Sequence, residues 1–277
     1  MRPELFRIGG QPFYTYGFML GLALFLAWEM GAWLAEKDGI ERKKVFRFAI
    51  VVMAAGYIGG HLHSWATDPG TRLLSGTGFT FYASALSGAL AALPACLWLK
   101  IDYLRMADAT APSIALAHGV GRIGCFLRGC CFGVPNEHGV SFPKDSPAWE
   151  AHVRAGLIPA SAAKSLPVVP TQLIESGYEL LLTGALVWLV LRRPRLGTAG
   201  LVYLAAYGPL RVIVERYRAD PDRGEILGLS TSTFIGLVTF VLAAILLAPP
   251  LSRWRAHRNG GAQRPGGIDS PAERTTS

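Results

Sequence analysis

Apolar residues in this chain fall in long blocks separated by short polar intervals. About seven blocks approach the ~20 residues that a helix needs to cross a bilayer. They are 13–34, 46–64, 79–99, 107–126, 172–191, 198–215 and 231–250. The longest polar interval, 133–170, holds Pro135, Pro143, Pro147, Pro159, Pro167 and Pro170, which predicts an irregular, partly helical external cap. Pro170-Thr171-Gln172 reads as a helix start leading into the next block, and Pro194 with Gly197 marks a turn. Beyond Trp254 the chain becomes polar and rich in Gly, Pro, Ser and Thr. The expected fold is therefore an all-α integral membrane protein of about seven transmembrane helices with one external cap loop. Residues 1–255 form the membrane domain in this reading, and 256–277 a disordered cytoplasmic tail. Met1–Gln11 is short and polar, so the first block is expected to remain as a span rather than act as a cleaved signal.

Basic residues orient these spans. Lys37, Arg42, Lys43 and Lys44 follow the first block, and Lys100 and Arg105 the third. Arg192, Arg193 and Arg195 follow the fifth, and Arg253, Arg255 and Arg258 the seventh. Seven spans put all of them on one side, which the positive-inside rule assigns to the cytoplasm. The N-terminus is then expected outside and the C-terminus inside. Arg216, Arg218 and Arg223 fall on the other side, accompanied by Asp220, Asp222 and Glu225. The net charge of +8 is thus explained by topology, and no nucleic-acid partner is expected. An apolar fraction of 51% excludes an ordinary soluble domain.

Charges inside apolar blocks carry the candidate chemistry. A charged side chain at mid-bilayer costs roughly 2.5–3.5 kcal/mol on insertion scales, so it is retained mainly where it faces protein, a wet cavity or an anion. Arg122 lies within His118-Gly-Val-Gly-Arg-Ile-Gly-Cys-Phe126, and its planar fork of donors suits a phosphate. The glycines satisfy G-x-G-x-x-G, but no strand precedes them, so a dinucleotide site is rejected. Arg211 and Glu215 are spaced to pair on one helix face, and Tyr207 shares that face. Two arginines at membrane level suggest a site for an anionic lipid head group. His118 stands one turn before Arg122, and His61 with His63 read as interfacial or hydrogen-bonded residues. Tyr82 and Tyr16 enter the membrane near its outer boundary, where aromatic anchors are common. Cys96 reads as a packing residue. Cys125, Cys130 and Cys131 cluster at one end of a span and match no familiar zinc spacing. Packing, a disulfide, and metal or redox chemistry all stay open for them, and no metal is expected.

Gly121-Arg-Ile-Gly-Cys-Phe-Leu-Arg-Gly-Cys-Cys-Phe-Gly133 resembles the signature of the prolipoprotein diacylglyceryl transferases, Gly-Arg-Ile/Leu-Gly-Asn-Phe-x-Asn-Gly-Glu-x-x-Gly. Tyr16-Gly17, Phe81-Tyr82-Ala-Ser84, Pro170-Thr-Gln-Leu-Ile-Glu175 and Tyr207-Gly-Pro-Leu-Arg211 with Glu215 and Arg218 resemble further family motifs in the family's order. The resemblance covers about residues 12–250 and shares the seven-span, N-out topology. It implies transfer of the diacylglyceryl group of phosphatidylglycerol to the lipobox cysteine of a prolipoprotein signal peptide. A thioether forms and glycerol phosphate leaves, in the bacterial inner membrane and without a cofactor. It also implies roles for particular residues: Arg211, Tyr82, Tyr207 and Glu215 in catalysis, and Arg122, Tyr16, Gly121, Gly124, Gly133 and Gln172 in substrate binding. The chain departs from the pattern at Cys125 and Arg128 for asparagines, Cys130 for glutamate, Tyr82 for a frequent histidine, and Tyr57 for an arginine. Those departures leave a second reading, a non-catalytic phospholipid-binding membrane protein built on the same fold.

Overall fold

A computed structural model describes residues 4–9, 11–67, 81–192, 195–219 and 225–248. The expected tail at 256–277 and the basic residues Arg193, Arg253, Arg255 and Arg258 lie outside the described residues, as do Pro194, Asp220, Asp222 and Arg223. The described chain is mostly helical. Its helices are α1 (Thr15–Lys37), α2 (Arg42–Thr67), α3 (Phe81–Leu99), α4 (Tyr103–Arg128), α5 (Pro147–Arg154), α6 (Thr171–Leu191), α7 (Thr198–Glu215) and α8 (Thr231–Leu247). Every apolar block of the sequence has become a helix, and α5 is a short addition inside the cap interval. Two antiparallel hairpins flank the bundle, β1 (Glu4–Ile8) with β2 (Gln11–Tyr14), and β4 (Glu225–Ile226) with β5 (Leu229–Ser230). A strand β3 (Pro135–Val140) crosses the cap.

Four helices, α1, α2, α3 from Tyr82 onward, and α6, are long and apolar enough to cross a membrane. α8 is equally apolar but 17 residues long. Their outward faces carry large apolar side chains, among them Leu90, Leu97, Trp98, Leu181, Ile245 and Leu246. This inversion of the soluble pattern is what lipid contact requires.

Small residues let the helices approach. A Cβ on Gly59 of α2 would fall inside the Ser87 side chain of α3. One on Gly208 of α7 would meet the Gly236 carbonyl oxygen of α8 at 2.3 Å. Such contacts replace the hydrophobic drive that is missing between helices in lipid. An apolar core of Ala32, Leu34, Ala35, Val45, Phe48, Ala95, Cys96 and Met106 closes one end of α1–α4. Cys96 is accounted for as a packing residue there.

Two local devices place the elements that matter. Asp108, buried in α4, accepts from the backbone N–H groups of Gly197 (2.7 Å), Ala199 (2.8 Å) and Gly200 (3.3 Å). A carboxylate from a neighbouring helix thereby caps the positive end of α7 and fixes α7 against α4. At the opposite end, Phe132, Phe142, Ala148 and Val168 form the core of the cap, with Phe126 of α4 against them. The Ser146 side chain accepts from Trp149 N–H to start α5, a capping hydroxyl of the preferred type.

Candidate active site

Five charged side chains and a histidine meet between α4, α6 and α7. Glu175 of α6 is at the centre. Its Oε1 accepts from Arg211 Nη1 at 2.7 Å, and its Oε2 contacts Arg122 Nε. Arg211 Nη2 also donates to Glu215 Oε2 at 2.8 Å, so the pair expected from spacing is present but belongs to a larger network. Arg122 Nε lies 3.1 Å from His118 Nε2. An arginine nitrogen only donates, so His118 Nε2 accepts and its proton is assigned to Nδ1. Nδ1 then donates to Glu179 Oε1 at 3.1 Å. Glu179 and Gln172 are completely buried, and Glu175 and Arg211 nearly so. Two guanidiniums thus face three carboxylates, a balance that keeps buried charge affordable only while every pair holds.

Glu175 and Glu179 are residues of this network that motif reading left without a role. Their signal was present in the sequence: two carboxylates four residues apart inside an apolar block. Tyr207 borders the network, its ring 5.6 Å from that of His118 and stacked on Tyr203. Tyr82, in the first turn of α3, is within electrostatic reach of Tyr207.

The remaining expected residues sort into two neighbouring places. Gly121 has open space where a side chain would stand, so backbone is accessible there. Gly124 instead packs on α1, where an added Cβ would meet Met19 at 2.9 Å and Tyr16 at 3.5 Å. Tyr16 lies under the Arg128 guanidinium, 5.4 Å from ring to charge. Gln172 donates from Nε2 to the Cys130 carbonyl at 2.6 Å, so it braces the chain after α4. Gly133 bridges to Arg218, and its added Cβ would lie 2.7 Å from the carbonyl oxygens of both Tyr217 and Val169. Its role here is close backbone packing that ties the cap to the end of α7.

One feature decides what this network can hold. Arg122 is fastened through Nε alone, and among the described residues its Nη1 and Nη2 fork has no hydrogen-bond partner. The Arg122 side chain is 14% exposed. A partly open fork in an apolar bundle is a ready site for a phosphate.

A model of the prolipoprotein diacylglyceryl transferase family matches residues 3–249. This chain belongs to the prolipoprotein diacylglyceryl transferase family. Among its relatives is the phosphatidylglycerol–prolipoprotein diacylglyceryl transferase of Clostridium tetani (strain Massachusetts / E88). It is 35% identical over 251 residues, covering 87% of this chain and 95% of the relative. The similarly named transferase 2 of Clostridium perfringens (strain 13 / Type A) is 32% identical over 271 residues, covering 94% and 99%. The transferase of Prochlorococcus marinus (strain MIT 9303) is 27% identical over 247 residues, covering 79% of each. These matches support the prolipoprotein diacylglyceryl transferase reading of the motifs, and the family match extends over the whole described bundle.

Proposed function

We propose that this chain transfers the diacylglyceryl group of phosphatidylglycerol to the lipobox cysteine thiol of prolipoproteins. A carbon–sulfur bond forms at the glyceryl carbon that bears the phosphate ester. The carbon–oxygen bond breaks and glycerol phosphate leaves. The observation that carries this reading is the unpartnered fork of Arg122 beside the Glu175–Arg211–Glu215 chain.

Two jobs follow from the geometry. The Arg122 fork binds the phosphate while His118, itself oriented by Glu179, holds the guanidinium in place. Arg211 presents a further buried donor, its Nε, which has no hydrogen-bond partner among the described residues. As the ester bond breaks, negative charge grows on the leaving phosphate, and pre-placed guanidiniums stabilise that charge without reorganising. Tyr207 and Tyr82 border the same space and are proposed to contact the glyceryl group. Tyr16, Gly121 and Gly124 would lie along the end of α4 where the peptide thiol enters.

The proposed setting is a bacterial inner membrane crossed seven times, N-terminus outside, with the cap on the outer face. The four helices of spanning length and the basic turns between blocks support this arrangement.

The test is transfer of labelled diacylglyceryl to a lipobox peptide. Arg122→Ala is expected to abolish transfer while the protein still accumulates in membranes. Arg122→Lys is expected to rescue poorly, because a point charge lacks the bidentate fork. Full activity of the alanine variant would remove Arg122 from the site.

A further inference from the structure

Cys125, at the last turn of α4, faces Cys130 and Cys131 across the reversal that ends the helix. The three sulfurs all lie within 4.8 Å of one another. Two sulfurs bound to one zinc stand about 3.8 Å apart, given Zn–S bonds near 2.3 Å, so shifts of about 1 Å would bring all three onto a common ion. The thiols are partly accessible and unpaired by disulfides.

The backbone that presents them is held in an unusual shape. Gly129 ends α4 in the left-handed region, as helix C-caps commonly do, but Cys131 is also left-handed, at φ 59°. A non-glycine residue keeps that conformation only where its surroundings enforce it. Two buried side chains at the start of α6 do so. Thr171 Oγ1 donates to the Cys131 carbonyl at 2.8 Å, and Gln172 Nε2 to the Cys130 carbonyl at 2.6 Å. Two guanidiniums, Arg122 and Arg218, also lie within electrostatic reach of Cys131. One divalent cation with three thiolates carries a single net negative charge, and two once the lipobox thiolate joins, so the guanidiniums nearby offset it in part.

Resting on the transferase reading, we infer that Cys125, Cys130 and Cys131 bind a zinc ion whose fourth position receives the lipobox cysteine. Three protein ligands and one open position are the pattern of catalytic zinc. A thiol that coordinates the ion loses its proton outright. The substrate thiol displaces a water, releases its proton to solvent, and is held as thiolate one helical turn from Arg122. Its sulfur then attacks the glyceryl carbon. The carbon–oxygen electron pair departs with glycerol phosphate, and no oxidant or reductant is consumed. The product thioether is a weak neutral ligand, so it leaves the zinc and water returns. Such a site supplies the thiolate that the reaction needs.

The experiment uses the detergent-purified chain, reduced and freed of metal, then titrated with zinc or with cobalt as a spectroscopic stand-in. One metal per chain is expected, lost in Cys125→Ser, Cys130→Ser and Cys131→Ser. Chelation of the unaltered chain should lower transfer at least about 100-fold, the scale of a lost proton-abstracting group, and zinc should restore it. Chelation needs no substitution, so misfolding of a serine variant leaves the result readable. The cobalt spectrum should change when a lipobox peptide is added and stay constant with a Cys→Ser peptide. Full transfer by a metal-free chain overturns the inference and leaves the transferase reading intact. Failure of the reduced, metal-free chain to take up zinc or cobalt overturns it equally. If the cobalt spectrum reports peptide binding but no peptide is ever lipidated, the zinc site stands and the transferase reading fails.

Discussion

Glu175→Gln is the most informative single perturbation of the charge network. Glu175 holds two guanidiniums at once, Arg122 on Oε2 and Arg211 on Oε1, with its side chain only 3% exposed. Removing one partner of a buried pair costs about 3–5 kcal/mol, because the other charge stays buried. Here each arginine keeps a second partner, His118 for Arg122 and Glu215 for Arg211. A glutamine oxygen also retains one hydrogen bond. The loss should therefore sit at the low end, about 3 kcal/mol, or roughly 100-fold in the folded-to-unfolded ratio. Unfolding of the detergent-purified protein, followed by tryptophan fluorescence during denaturing-detergent titration, measures it. Phosphatidylglycerol should offset much of the loss. A ligand that binds only the folded state stabilises according to its concentration relative to its Kd, and its phosphate supplies negative charge to the two arginines that residue 175 no longer neutralises. The variant should thus be stabilised more by this lipid than the parent is. Parent-like stability without lipid would refute the network's structural role. Equal stabilisation of both proteins by lipid would refute the placement of the phosphate.

Three further outcomes follow from other parts of the molecule. Asp108→Ala removes the acceptor for three N–H groups at the start of α7. It should cost about 2–3 kcal/mol, and transfer should fall in step with stability because α7 carries Arg211; unchanged thermal stability would show that α7 needs no such cap. His152 of the cap is buried, and its Nδ1 accepts from Leu166 N–H at 3.2 Å, so burial pulls its pKa below the ordinary 6.5. The neutral ring's contribution is complete above that ordinary value and is lost as pH falls through the lowered one. Protease nicking of the cap should therefore rise between about pH 7.5 and about pH 5, and a flat profile would contradict it. A reporter fused after Arg195 should read cytoplasmic and one inserted near Gly156 external; the reverse pattern would invert the proposed orientation.

The helices were legible because each hydrophobic block marks one, and four of them are long and apolar enough to cross a membrane. The structure extends α2 back to Arg42 and α4 from Tyr103 to Arg128, since helices run past their apolar centres into charged ends. Arg211 and Glu215 were legible for a similarly local reason, a spacing of one helical turn. The bridge through Glu175 was not, because its partners lie on α4 and α7 and nothing local marks which helices adjoin. Asp108 was invisible for the same reason, its bonds reaching 89 to 92 residues along the chain. Gln172 and Gly133 were found by motif, yet their geometry assigns them to bracing the chain around the site. A motif fixes position in sequence, while the contact that gives a residue its role is set by packing. The three outer cysteines show this most clearly. Their spacing resembles no known ligand pattern, and the sulfurs come together across a chain reversal in which both Gly129 and Cys131 are left-handed.

The central claim is that this bundle performs transfer rather than merely holding lipid. The direct measurement is mass spectrometry of a synthetic lipobox peptide incubated with the purified chain in phosphatidylglycerol vesicles. The account predicts a mass gain of one diacylglyceryl group on the cysteine, with glycerol phosphate released in equal amount and neither product formed by Arg122→Ala. An unmodified peptide alongside undiminished phosphatidylglycerol binding would contradict it, and would leave the chain a lipid-binding protein on a transferase fold.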